Sequence, residues 1–170
     1  AEEWLLDAAE ALAIGGEIGE KIILMGTSTG ATLAMAMADH PAFRNVSALV
    51  LLSPNFGVAD PKGKLLTLPG GPQLAYLMVG KTRSWKTGIA LQEQFWSTSY
   101  PMDAALEVMR LVQFVRRQLP MEIPQSVLMF YSPKDRVIDI SEIQAAWPQI
   151  TSPRKELIEI TDSGDPSHHV

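Results

Sequence analysis

Two hydrophobic periods alternate along the chain. Residues Glu2 to Ile14 place Trp4, Leu5, Ala8 and Leu12 on one face and Glu2, Glu3, Asp7 and Glu10 on the others, which predicts an amphipathic helix that Gly15 and Gly16 end. Lys21 to Met25 (KIILM) is a compact, isoleucine-rich apolar run, the pattern of a strand covered on both faces. Ala31 to Asp39 is built from alanine, leucine and methionine, strong helix formers, and His40-Pro41 closes it. Val46 to Leu52 (VSALVLL) repeats the strand pattern before the turn formers of Ser53 to Gly57. These segments complete a βαβ unit.

From Gly57 to Pro124 the character changes. A loop with Pro61, Gly63, Pro69, Gly70, Gly71 and Pro72 leads into short helical patterns carrying Tyr76, Trp85, Phe95, Trp96 and Tyr100, which read as an insertion. Met102 to Leu119 then sets Ala105, Leu106, Met109, Val112, Phe114 and Val115 at mostly helical spacing, with Arg110, Arg116 and Arg117 facing out. Val127 to Tyr131 is a third strand, followed by the loop Ser132 to Arg136 and a helix from about Ser141 to Trp147. Leu157 to Ile160 is a fourth strand, and the turn-rich loop Thr161 to Ser167 runs into His168 and His169. The alternation predicts an α/β fold with a doubly wound, mainly parallel sheet. The expected division is residues 1–56 as core, 57–120 as a lid insertion with its return helix, and 121–170 as core again.

Composition narrows the partners. The 170 residues carry 19 acidic and 14 basic side chains, a formal net charge of −5, and Arg116 and Arg117 sit inside an amphipathic helical pattern rather than a basic stripe, so nucleic acid is not an expected partner. A hydrophobic fraction of 46% against 19% charged residues is enough for a buried core. The sequence contains no apolar run long enough to span a membrane. With no cysteine, disulfides, thiolate catalysis and cysteine-ligated zinc are excluded.

The chemistry concentrates at GTSTG, Gly26 to Gly30, which fits the nucleophile elbow G-x-S-x-G. A serine held in a sharp strand-to-helix turn needs little bulk on either side, and two glycines supply that. Ser28 Oγ would then stand above the sheet, and the N–H of Thr29 at the helix start could donate to a developing oxyanion. The pattern alone arises by chance in roughly one chain of this length in twenty, from average glycine usage; the strand before it and the small-residue helix after it sharpen the reading. A serine nucleophile needs a base. His40 lies a helix away from Ser28 and reads as a capping residue. His168 and His169 follow the fourth strand at the end where such a sheet gathers its site, and spacing does not separate them. The orienting acid is expected on a loop after a strand. Asp135 meets this, Asp139 is its rival, and Asp162 and Asp165 read as turn formers.

The segments KIILMGTSTGATLAMAMA, VSALVLLSPNFG, VLMFYSPKDRVID and SGDPSHHV together resemble the α/β-hydrolase superfamily, in particular its lidded serine esterase and lysophospholipase-like members, over nearly the whole chain. The resemblance implies a triad of Ser28, Asp135 and His169, the last chosen over His168 because relatives of this kind carry the histidine directly before a small β-branched residue, here Val170. In that family several strands precede the elbow strand, and an early loop gives a second oxyanion donor. Only one helix precedes it here, so a sheet incomplete at its amino-terminal side, belonging to a larger hydrolase, is expected. The expected activity is hydrolysis of medium or long acyl esters, such as monoacylglycerols or lysophospholipids, through an acyl-enzyme, with no metal or organic cofactor. Trp85, Phe95 and Trp96, with Leu74, Leu77, Met78 and Val79, are expected to wall an apolar acyl pocket or to pack the lid. Lys81, Arg83 and Lys86 form a small basic cluster beside them, which reads by default as solvated surface charge and otherwise as a contact for a phosphate head group; peripheral membrane contact is compatible with the chain. Two alternatives stand beside this reading: a non-catalytic module holding an apolar ligand, and an acyltransferase of the same fold.

Overall fold

The computed structural model describes residues 1–61, 63, 66, 68–85, 90–95 and 97–169, with the side chains of 90–92 excepted. Helix α1 (Glu2–Ile18) leads into strand β1 (Ile22–Thr27), helix α2 (Thr29–Ala36), a 3-10 turn at Pro41–Asn45 and strand β2 (Val46–Leu52). Helix α3 (Gly71–Val79), strand β3 (Thr82–Ser84), helix α4 (Ala90–Phe95) and strand β4 (Ser99–Pro101) fill the insertion, and helix α5 (Met102–Arg117) leaves it. Strands β5 (Met121–Glu122) and β6 (Ser126–Tyr131), helix α6 (Ile140–Ala146), and strands β7 (Ile150–Thr151) and β8 (Lys155–Glu159) complete the order.

The main sheet runs β1-β2-β6-β8, all parallel. Its core lies on one face. Leu24, Leu49 and Leu51, Val127 and Met129 pack with Leu12 of α1, Met35 of α2, Leu111 of α5 and Ile143 of α6. Residues that alternate with these point the other way. Met25, Val50 and Leu128 stand in register, as do Leu52, Phe130 and Ile158. Ile23 and Met25 are each 64% exposed. The burial of β1 therefore alternates, whereas KIILM reads as a strand covered on both faces; among the described residues nothing lies over its second face.

Other differences from the expected elements have local causes. Helix α1 continues through Gly15 and Gly16 to Ile18, and the Gly19 N–H closes it on the Gly15 carbonyl at 3.0 Å. Each glycine costs about 1 kcal/mol in a helix interior, too little to stop one that gains a further turn of hydrogen bonds. Tyr100 lies in β4, antiparallel to β3, and Trp85 directly follows β3 with its N–H donating to the Thr98 carbonyl at 3.0 Å, so neither belongs to a helical segment. Arg83 faces Tyr100, the Ser84 and Ser99 hydroxyls bond at 3.0 Å, and the Trp85 ring meets Tyr100 edge-on at 5.2 Å. Such cross-strand pairs stabilise a short ladder that has no helical periodicity to signal it.

The two glycines of GTSTG are not equivalent. A Cβ at Gly26 would stand 2.5 Å from the Gly30 carbonyl oxygen and 2.7 Å from the Ala31 nitrogen, while one at Gly30 meets nothing within 4 Å. Gly26→Ala is expected to destabilise the fold by about 3 kcal/mol. Gly30→Ala is expected to be neutral or to stabilise it by up to about 1 kcal/mol, through helix propensity. Urea unfolding of both variants checks the contrast.

Candidate active site

Ser28 stands at the end of β1 and caps α2 with φ 53° and ψ −119°, outside the regions that residues with a side chain ordinarily occupy. The surroundings hold it there. Its N–H donates to the Leu52 carbonyl at 2.8 Å, and its own carbonyl accepts from Ala31 and Thr32 at 3.1 and 3.2 Å and from Asn55 at 3.3 Å. The buried Thr32 hydroxyl donates to the carbonyls of Asn55, at 2.8 Å, and Ser28, at 3.2 Å, so it ties the elbow to the loop after β2. Thr29 is the first residue of α2, a position whose N–H has no acceptor within its own helix.

Asp135 lies on the loop after β6, with its side chain fully buried. Its Oδ1 accepts from the Val137 and Ile138 N–H groups at 2.8 and 3.1 Å, and its Oδ2 stands 2.8 Å from His169 Nδ1. Two loops must meet to make this pair, and the Arg136 N–H joins them by donating to the Ser167 carbonyl at 2.9 Å. The turn before His169 is built by Asp165, which accepts from the Ser167 N–H at 2.7 Å, and by His168 at φ 55°. At the root of the Asp135 loop, burial raises the pKa of the Tyr131 phenol, which donates to Glu159 at 3.2 Å.

The structure thus brings Asp135 and His169 together. His168 makes no bond to Asp135, and its Nδ1 is buried with no partner among the described residues. Ser28 Oγ has no hydrogen-bond partner among the described residues, His169 included. His40 caps the 3-10 turn, its Nδ1 accepting from the Ala42 N–H at 3.2 Å. Asp139 caps α6 by accepting from the Ser141 N–H at 3.1 Å, and Asp162 accepts from the Gly164 N–H at 3.1 Å. Asp139→Ala is therefore expected to cost about 1 kcal/mol of stability, as a lost helix cap does, which thermal unfolding checks.

An open hollow of about 450 Å³ adjoins His169, lined also by Leu52, Phe130, Ile160, Asp162 and Ser163. Neither Trp85 nor Phe95 lines it. Trp85 packs on Tyr100, and Phe95 is 73% exposed on α4. Trp96 lies outside the described residues.

Sequence reasoning missed the brace behind the site. Arg116 of α5 donates to the Phe56 carbonyl at 3.2 Å and pairs with Glu142 of α6 at 2.8 Å. A Cβ at Gly57 would come within 3.0 Å of the Glu142 side chain, so glycine lets the loop close on the pair. The Asp139 N–H donates to the Gly57 carbonyl at 2.7 Å, and the Ala59 N–H donates to that of Val137 at 3.0 Å. The loop behind Ser28 and the loop carrying Asp135 are in this way one hydrogen-bonded unit. The helical spacing of Arg116 gives no sign of it, because the partner is a main-chain carbonyl 60 residues away.

A parallel sheet with a strained serine turn after its edge strand, and an aspartate–histidine pair on later loops, defines an α/β hydrolase. The chain belongs to the serine aminopeptidase S33 family (Hydrolase_4), whose model matches residues 2–163. In fold it is similar to a structure from work on the metagenome-derived lipolytic enzymes LipS and LipT, with 16% identity, a TM-score of 0.69, and coverage of 94% of this chain and 63% of that one. It is also similar to a monoacylglycerol lipase of Paleococcus ferrophilus, with 14% identity, a TM-score of 0.66, and coverage of 92% and 65%. A soluble variant of monoglyceride lipase from Saccharomyces cerevisiae, in complex with a substrate analogue, gives 12% identity, a TM-score of 0.66, and coverage of 93% and 58%. The chain spans about three-fifths of the length of these structures. No curated protein matches the sequence.

Proposed function

We propose that this chain carries the nucleophile, base and acid of a serine hydrolase of carboxylic esters. The observation that carries the reading is the 2.8 Å contact of Asp135 with His169 Nδ1, the other carboxylate oxygen being fixed by two main-chain N–H groups. With Nδ1–H donated to Asp135, the imidazole presents Nε2 as an acceptor. Ser28 Oγ attacks the acyl carbon as Nε2 takes its proton, and the imidazolium then gives that proton to the leaving alcohol. The Thr29 N–H stabilises the oxyanion in the tetrahedral intermediate. Water attacks the acyl-enzyme by the reverse proton route and releases the acid.

Apolar side chains beside His169, namely Leu52, Phe130 and Ile160, favour an acyl group over a polar one. Structures of the same fold named for lipolytic enzymes and a monoacylglycerol lipase support an ester substrate; within that class the proposal is a medium or long acyl ester of glycerol or a lysophospholipid. Within residues 57–120 the insertion ahead of the return helix α5 acts in this reading as a lid, with Trp85, Phe95 and Trp96 meeting substrate, while α5 stays in the main core through Leu111 and Val115. A non-catalytic module that holds an apolar ligand is the second reading, and it is favoured by a Ser28 hydroxyl that bonds to none of the described residues.

A fluorophosphonate probe tests the two. One adduct per chain, mapped by peptide mass to Ser28, is expected of the hydrolase. A folded chain that takes no adduct, and still takes none when extended to the length of its structural relatives, overturns it. Ester cleavage in added alcohol, with the products analysed, separates hydrolysis from acyl transfer.

A further inference from the structure

Helix α3 is nine residues long and carries no charge. One side, Gly71 and Ala75, is buried, and Ala75 packs with Met102 and Ala105 in a small satellite core. The other side is largely apolar, the exposed Gln73 apart. Leu74, Leu77 and Met78, spaced as one stripe, and the adjoining Val79 are all exposed, Leu77 to 84%. Helices that face water ordinarily turn polar residues outward, so this stripe is anomalous.

Charge along this stretch of the sequence is one-sided, although across space Asp103 of α5 accepts from the Tyr76 hydroxyl of α3. Residues 61–92 hold Lys62, Lys64, Lys81, Arg83 and Lys86 and not a single Asp or Glu. The formal charge is −5 over the whole chain and +5 over this segment, so the other residues together carry −10. Lys81 and Arg83 follow α3 directly and are exposed. An apolar helix face flanked by cations, on a chain otherwise strongly anionic, matches an anionic lipid surface in two ways. Apolar side chains enter the acyl boundary while the cations meet headgroup phosphates. Repulsion of the remaining −10 turns the molecule so that only this segment faces the membrane.

We propose that the outer face of α3, with Lys81 and Arg83, docks the protein on anionic bilayers. Docking would set residues 57–120 against the interface at which acyl esters reside. It is measured without hydrolysis, so its failure leaves the ester reading standing, and a dead enzyme leaves docking standing.

The experiment is co-sedimentation of the chain with vesicles of phosphatidylcholine alone and of an equal mixture of phosphatidylcholine and phosphatidylglycerol. Binding to the mixed vesicles that weakens as salt rises is expected. Replacing Lys81 and Arg83 together by glutamine should weaken it about 25-fold, at about fivefold for each charge near the surface. Leu77→Ser with Met78→Ser should weaken it about tenfold or more, from the loss of apolar burial; both sites are exposed, and unchanged thermal unfolding shows that the variant folds. Ile23→Ser with Met25→Ser, on the bare sheet face, should bind like the parent. No binding to mixed vesicles overturns the proposal, as does binding that the α3 variants retain or that the Ile23 and Met25 variant loses. Concentration-dependent self-association abolished by the α3 substitutions, without vesicle binding, would assign the face to a second copy and also overturn it.

Discussion

Ser28→Ala is expected to lower kcat on a soluble ester on the order of a millionfold, and to abolish fluorophosphonate labelling. Loss on that scale follows when a nucleophile is removed from a set that works as a unit, leaving only binding and oxyanion stabilisation. Here the residual rate should be small, because Thr29 N–H is the one oxyanion donor assigned to the chain. The substitution removes a single oxygen that bonds to no described residue, and every main-chain contact of residue 28 remains available to alanine. Strain at φ 53° is equally present in both proteins. Folding should therefore change little, and near-parental thermal unfolding beside a lost rate would mark the effect as chemical. Hydrolysis that persists in Ser28→Ala would sink the serine mechanism and favour the ligand-binding module.

Much of the architecture is written in local patterns. Strands β2 and β6 are apolar runs bounded by turn formers, and the parallel order follows from their alternation with helices. GTSTG can be read as an elbow because its demand is steric and local: a Cβ at Gly26 has no room beside the Gly30 carbonyl. The meeting of Asp135 with His169 depends on two loops 34 residues apart; chain order points to Asp135 and to the His168–His169 pair, and only the resemblance to the family chooses His169. Other features depend on what lies across space. Whether Ile23 and Met25 are covered is decided by what packs on β1, and an apolar run reads alike in either case. Asp135 and Asp139 are both aspartates on one loop, yet one bonds an imidazole and the other caps a helix, a difference set by the direction of the chain between them. Arg116 reads as an outward-facing charge on an amphipathic helix and is exposed, yet it also braces the Phe56 loop.

Asp135→Asn should separate the orienting role of this side chain from its structural one. Asparagine can keep an oxygen for the Val137 and Ile138 N–H groups, now bonded at 2.8 and 3.1 Å, so the loop retains its fold. Its NH2 group then faces His169 Nδ1 and can only donate, which forces the imidazole into the tautomer with the proton on Nε2. That nitrogen can no longer take a proton from Ser28, and kcat is expected to fall about 10⁴-fold, the loss that accompanies a wrong tautomer in a triad. Asp135→Ala removes the acceptor as well. It leaves the buried Ile138 N–H without its acceptor, at about 1–3 kcal/mol, and the part-buried Val137 N–H as well, so unfolding in urea should shift for alanine and little for asparagine. Both variants should lose activity. An asparagine variant that unfolds like the parent but hydrolyses esters at the parental rate would remove Asp135 from the mechanism; one that loses rate and stability together would reduce it to a loop anchor.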